Sequence, residues 1–187
     1  PGLRGVKPKR SFVGTADGVT YLVMDLLEGE DLAARLAREG ALAPSYAVEV
    51  VLAVTSAIEA AHEAGVIHRD LKPANVFLER TRREVVPRVL DFGISKLTDR
   101  VGDTTRSVAL LGSPHYMSPE QARSSKSVDW RTDQYALGVI LYECATGALP
   151  FQAPELYPLL HAIVQGDHRA PRALRPELPE ALEAVIE

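Results

Sequence analysis

Cysteine is almost absent from this sequence: Cys144 is the single one in 187 residues. An internal disulfide and a cysteine-rich metal centre are thereby excluded, and a reducing, cytoplasmic setting is the simplest expectation. Histidine does not make up for the missing thiols, since His62, His115, His161 and His168 lack the short spacings of a zinc site. Nor is there a surplus of one charge. Lys plus Arg number 21 and Asp plus Glu 25, a net of -4, which speaks against a general nucleic-acid binder. No uninterrupted apolar run is long enough for a membrane or targeting segment: the two most apolar stretches, 47–61 and 135–149, are broken by Glu49, Glu59 and Glu143. Both read as buried helices. Internal repeats are missing too. What remains is an ordinary globular composition, 46% hydrophobic and 25% charged, that can bury a core. The chain begins at Pro1 and stops at Glu187 inside a helical pattern, so it is expected to be a piece cut at both ends.

Local chemistry sets the expected elements. Residues 12–13 and 19–24 flank Ala16-Asp17-Gly18, whose Asp-Gly pair suits the tight turn of an antiparallel hairpin. Glu28-Gly29 ends the second strand, and 31–38 then reads as a helix stopped by Gly40. After Pro44, the residues Val48, Val51, Leu52, Thr55, Ile58 and Ala61 recur at helical spacing until Gly65. Short strand-like pieces follow at 66–67, 76–78, 85–86 and 89–90. Between them, Arg80, Arg82 and Arg83 mark a solvated hairpin tip rather than a nucleic-acid patch. From 95 to 119 there is no amphipathic period, and a loop that long inside a domain is usually functional. Helical signals return at 132–146, closed by Gly147, and more weakly at 155–164 and from 179 onward.

The chemistry concentrates in His68-Arg69-Asp70-Leu71-Lys72-Pro73-Ala74-Asn75, which places an acid, a cation and an amide within one short loop. Asp91-Phe92-Gly93 follows, with Asp91 lying 21 residues after Asp70. Strand ends can bring these groups to one point. Asn75 and Asp91 supply the hard oxygen ligands that magnesium accepts when phosphates and waters complete its shell, and Asp70 is left to orient a hydroxyl.

In order and spacing, these two motifs, with Ser118-Pro119-Glu120 and then Asp133-Gln134-Tyr135-Ala136-Leu137-Gly138, resemble the catalytic loop, magnesium loop and activation-segment end of the protein kinases. The stretch Tyr21 to Gly29 is similar to the last N-lobe strand running into the hinge. The resemblance implies an α+β kinase-like fold: residues 1–27 would be an N-lobe remnant with the hinge, and 28–187 a mostly helical C-lobe. It implies a Ser/Thr protein kinase using ATP and Mg2+ on a protein substrate. Asp70 corresponds to the catalytic aspartate, Lys72 to the lysine facing the γ-phosphate in Ser/Thr kinases, and Asn75 and Asp91 to the metal ligands. For the nucleotide, Met24 corresponds to the gatekeeper, Asp25 and Leu27 offer backbone to the adenine, Asp31 reaches the ribose, and Phe77 lies beneath the base. Asp133 corresponds to the aspartate that supports the catalytic loop through its amides, while His68 and Cys144 are expected to be structural and buried. Ser113-Pro114 resembles a substrate-facing loop. Arg69, next to Asp70, would dock a phosphate on Thr104 or Thr105.

Three parts of the kinase pattern are not found: the glycine-rich loop, the strand lysine and its helix glutamate. Only 16 residues separate Lys7 from Met24, none of them glutamate, and Lys7 reads as a surface charge. Weak or absent turnover of the isolated fragment is therefore expected. The alternative function is a pseudokinase-like binding module without phosphotransfer, against which the complete set Asp70, Lys72, Asn75 and Asp91 argues. A small-molecule kinase would leave Ser118-Pro119-Glu120 unexplained.

Overall fold

In a computed structural model, residues 12–16, 18–92, 114–123 and 128–187 are described. The Asp-Gly signal delivers its hairpin. Strands β1 (Phe12–Ala16) and β2 (Val19–Val23) pair antiparallel with Phe12 opposite Val23, and Gly18 takes the positive φ of 77° that such a turn requires. Val19, Tyr21 and Val23, at alternating positions of β2, are exposed.

A second sheet carries more of the chemistry. Its order is β3 (Gly29–Asp31), β4 (Val76–Arg80), β5 (Val85–Val89), all antiparallel, with Asp31 opposite Phe77 and Val76 opposite Val89. The short β3 is not expected from the sequence. Gly29 makes it possible: at φ 147° it lies so close to β4 that a Cβ there would stand 2.1 Å from the Leu78 carbonyl oxygen. The separate pieces expected at 85–86 and 89–90 are one strand running through Pro87. As an edge strand, β5 tolerates a residue without an N–H. The piece expected at 66–67 is not a strand, and the turn at 81–84 is closed by Thr81, whose hydroxyl donates to the Glu84 carbonyl at 2.8 Å.

Helix α1 (Leu32–Glu39) starts where Asp31 accepts the Ala34 N–H at 2.8 Å, and ends at Gly40. On its exposed side, hydrogen bonds from Arg38 and Arg35 hold the Glu30 carboxyl down to about 2. Helix α2 (Pro44–Glu63) has Pro44 in its first turn, and its buried face is Ala47, Val50, Val51, Val54 and Ile58. Leu52 and Thr55, expected on that face, point to solvent. Among the described residues α2 is the one helix with the length and apolarity to cross a membrane, yet one side of it packs on β5 and on α4 (Arg131–Thr146). Between them comes α3 (Pro119–Arg123), and after α4 come α5 (Leu156–Gln165), α6 (Pro171–Leu174) and α7 (Glu180–Ile186). Neither α3 nor α6 is expected from the sequence.

The core sits between α1, α2, the second sheet and α4, where Leu32, Val50, Val54, Val76 and Ile140 are almost fully buried. Each such side chain contributes about 1.5–3 kcal/mol relative to exposure. Arg175 locks the periphery, donating to the carbonyls of Leu42 at 2.7 Å and Ala145 at 2.8 Å. Gly147 caps α4 at φ 73°, where a Cβ would press against the Ala41 amide at 2.8 Å. Cys144 is buried as expected, and burial, helped by the charge of Glu143, pushes its thiol up to about 12. Thiolate is the reactive form, so thiol reagents at neutral pH are expected to label Cys144 only after unfolding. Rapid stoichiometric labelling of the native protein would contradict this packing.

Candidate active site

The site is assembled from the loop after α2 and the ends of β4 and β5. Asp133, in the first turn of α4, holds that loop from within. Its Oδ2 accepts the His68 N–H and its Oδ1 the Arg69 N–H, both at 2.8 Å, and the carboxylate is 1% exposed. A third contact comes from His62 on the last turn of α2, whose Nε2 is 2.7 Å from Oδ2. A buried carboxylate needs such partners to offset its lost hydration. His68 is fully buried, and its ring is locked by two bonds: Nε2 donates to the Leu90 carbonyl at 2.9 Å, while Nδ1 accepts the Asp70 N–H at 3.3 Å. The ring also meets Phe92, with centroids 5.0 Å apart.

Two residues here take the left-handed backbone conformation without being glycine, Arg69 at φ 67° and Asp91 at φ 58°. Each costs roughly 1–3 kcal/mol and persists only under outside constraint. For Arg69 the constraint is visible on both sides. Its N–H is bound by Asp133, and its carbonyl accepts from Gln121 Nε2 at 2.8 Å. Gln121 is itself fixed, because Ser118 and Gln121 form a capping box at the start of α3: Ser118 N–H donates to Gln121 Oε1 at 3.0 Å, and Gln121 N–H to Ser118 Oγ at 3.3 Å. Thr132 adds a hydroxyl bond to Gln121 Oε1 at 2.5 Å.

Asp70 is half-exposed at the head of this scaffold. Lys72 Nζ donates to its Oδ2 at 2.7 Å, and Asn75 Nδ2 binds its backbone carbonyl at 2.7 Å and approaches Oδ2 at 3.5 Å. Oδ1 has no hydrogen-bond partner among the described residues. Asn75 closes a 3-10 turn, Pro73–Asn75, and its carbonyl accepts the Leu90 N–H at 2.8 Å, which sets Asp91 beside it. Because the Asn75 NH2 is committed to Asp70, its Oδ1 is the atom left for a ligand. Asp91 is exposed and makes no ion pair among the described residues. Two hard oxygen donors suit a magnesium ion that draws the rest of its shell from phosphates and water, and among the described residues no cluster of three or more His, Cys, Asp or Glu offers an all-protein cage instead.

Of the residues expected to meet the nucleotide, Asp31 and Phe77 are neighbours across β3 and β4, on the sheet whose strands β4 and β5 are flanked by Asn75 and Asp91. One oxygen of Asp31 is spent on capping α1. Met24, Asp25 and Leu27 belong instead to the exposed stretch joining the two sheets, which is fastened at its end by the Arg80 N–H on the Glu28 carbonyl at 2.7 Å. Lys7, Gly93, Thr104, Thr105 and Ser113 lie outside the described residues. His62 and Gln121 are the members of the site that the sequence reading missed. Ser118-x-x-Gln121 is a legible capping signature, whereas nothing local marks His62.

Against known families, the profile of the protein kinase domain matches residues 10–180. The chain belongs to the protein kinase family. Among similar proteins, this kinase chain is 43% identical over 181 residues to the serine/threonine-protein kinase pkn3 of Myxococcus xanthus, an alignment covering 94% of this chain and 33% of that protein. It is 37% identical to a probable serine/threonine-protein kinase of Clostridium perfringens, covering 93% of this chain and 25% of the relative. To the kinase PknH of Mycobacterium tuberculosis it is 39% identical, covering 92% and 27%. The kinase chain thus spans a quarter to a third of the length of these relatives. Its α+β architecture, two small antiparallel sheets with a largely helical remainder, fits the family. ATP is the phosphate donor that the family implies, usually with Mg2+.

Proposed function

We propose that these residues form the phosphotransfer site of a serine/threonine protein kinase, which moves the γ-phosphate of ATP to a Ser or Thr hydroxyl of a protein. Residues 1–27 then belong to the N-lobe end and hinge, and 28–187 to the C-lobe, of a cytoplasmic catalytic domain. The carrying observation is the state of Asp70: one carboxylate oxygen is fixed by Lys72 and approached by Asn75, and the other is free to accept. A substrate hydroxyl that donates to Oδ1 has its oxygen turned toward the phosphorus. As the new oxygen–phosphorus bond forms, the bond from phosphorus to the β,γ-bridging oxygen breaks. ADP leaves, and the hydroxyl proton passes to Asp70. Lys72, within reach of the same carboxylate, can shift its ammonium to the transferring phosphoryl group and offset its charge. Asn75 Oδ1 and the Asp91 carboxylate would hold magnesium, which when bound neutralises the phosphate oxygens.

Lys72 supports a hydroxyl substrate of the Ser/Thr class, and the relatives' names agree. The test is transfer of radiolabelled phosphate to a Ser-acceptor protein by the complete kinase, together with calorimetric titration of ATP with and without magnesium. Asp91→Ala is expected to weaken magnesium-dependent ATP binding roughly 10–100-fold, the scale of a lost charged hydrogen-bonding or ligand interaction. Tight ATP binding that ignores both magnesium and this substitution would overturn the assignment of the metal ligands.

A further inference from the structure

The turn between β4 and β5 sets a threonine among free cations, in the sequence Arg80-Thr81-Arg82-Arg83-Glu84. Arg80, Arg82 and Arg83 are exposed, and their guanidinium groups make no hydrogen bond or ion pair among the described residues. Elsewhere on this sheet a cation is matched, as Arg88 is by Glu79 at 2.8 Å. Glu84 is the one acid of the turn and is exposed too, so the tip keeps a net positive charge. At its centre Thr81 Oγ1 gathers backbone donors: the N–H groups of Arg83 and Glu84 approach it at 3.3 and 3.1 Å. Two convergent N–H groups, with three guanidinium groups on the same short turn, are the donors that a phosphoryl group on this oxygen needs.

Thr81 is also a hydroxyl that a kinase can take without dismantling the fold. Ser45, Thr55, Ser56 and Thr146 lie in helices, Thr15 and Thr20 face each other across β1 and β2, and Ser118 and Thr132 are buried. Thr81, by contrast, is partly exposed in a turn. Its hydroxyl donates to the Glu84 carbonyl at 2.8 Å, yet its own N–H donates to the same oxygen at 2.9 Å, so the turn stays closed when the hydroxyl is esterified. The strand also fixes where the phosphate must come from. From Asn75 the chain runs along β4 to Thr81, about 20 Å at the rise of an extended strand, so Asp70 of the same molecule cannot reach this hydroxyl.

We propose that Thr81 is a phosphorylation site, modified by a second copy of this kinase, whose phosphate is held by Arg80, Arg82 and Arg83. The proposal rests on the kinase reading above. Thr81 Oγ1 attacks the γ-phosphorus of ATP bound to the other copy. The new oxygen–phosphorus bond forms as the bond to the β,γ-bridging oxygen breaks, ADP leaves, and the hydroxyl proton passes to Asp70 of that copy. The phosphate brings roughly -2 charge and cancels most of the positive charge of the tip.

The test mixes isotope-labelled complete kinase carrying Asp70→Asn with unlabelled, unaltered kinase, ATP, magnesium and a Ser-acceptor protein, and reads the phosphopeptides by mass spectrometry. Phosphate is expected on Thr81 of the Asp70→Asn copy, at a rate that rises with the concentration of unaltered kinase. Thr81→Val should remove this label and leave transfer to the acceptor protein unchanged. In the phosphorylated protein, the pair Arg82→Gln and Arg83→Gln is expected to let a nonspecific phosphatase remove the group roughly fivefold faster, the worth of one exposed charge pair. Phosphate transfer to the acceptor protein with none on Thr81 of the Asp70→Asn copy overturns the proposal alone. Equal removal from both forms overturns the role of the arginines. No phosphate on any protein, the acceptor included, overturns the kinase reading, and the Thr81 site with it.

Discussion

In the complete kinase, Asp70→Asn is expected to reduce phosphate transfer by roughly 10²–10⁴-fold, the range for losing a positioned proton acceptor, while ATP affinity stays close to that of the unaltered protein. The two effects separate because the substitution is nearly isosteric and the loop is not held by the Asp70 carboxylate. The backbone carbonyl of residue 70 still accepts from Asn75 Nδ2, and its N–H still meets His68 Nδ1. Asn75 and Asp91 keep their places on the β4 and β5 ends, so the groups facing the nucleotide are undisturbed. What is lost is the anionic oxygen able to take up the hydroxyl proton. Lys72 also loses its charged partner at 2.7 Å, which frees the ammonium without restoring a proton acceptor. Radiolabel transfer and ATP titration on the same preparation check both halves. Near-normal turnover would remove Asp70 from the proton's path, and a large fall in ATP affinity would place it against the nucleotide instead.

How much of this site could be read before the structure depends on whether the constraint is local. The cluster from His68 to Asn75 and the Asp91 that follows were legible because spacing along two short strands brings them together. The start of α1 at Asp31 and the end of α4 at Gly147 were legible for the same reason, since caps act within one turn. His62 was not: its partner Asp133 is 71 residues away, and no periodicity links the last turn of one helix to the first turn of another. The left-handed backbone of Arg69 is likewise imposed by distant bonds rather than by residue type. On α2 the apolar residues fall on more than one side, so helical period alone could not decide that Val50 and Val54 face the core while Leu52 does not. Pro87 broke an expected strand only because its place at the sheet edge was unknown.

That dependence on distant bonds makes Asp133 the position where stability and catalysis are expected to fail together. Its carboxylate satisfies three donors, two of them backbone N–H groups of the loop that ends at Asp70. Asp133→Asn keeps the size but leaves one oxygen, so at least one buried donor faces an NH2 group, and the unfolding free energy is expected to fall by about 2–4 kcal/mol. The more specific consequence concerns Arg69. With its N–H released, the left-handed conformation has only the Gln121 bond to its carbonyl to hold it, and the loop can relax away from the geometry that presents Asp70. The rate of transfer should therefore drop even where the variant is fully folded, with magnesium-dependent ATP affinity largely kept, because Asn75 and Asp91 are held by the sheet. Gln121→Ala provides the companion measurement. It removes the other tether of Arg69 without touching the buried carboxylate, so it should slow transfer in the same sense at a smaller cost in stability. Denaturant unfolding, single-turnover transfer and ATP titration on both variants decide the matter: an unchanged transfer rate in folded Asp133→Asn and in Gln121→Ala would show that Asp133 supports the fold and does not position Asp70.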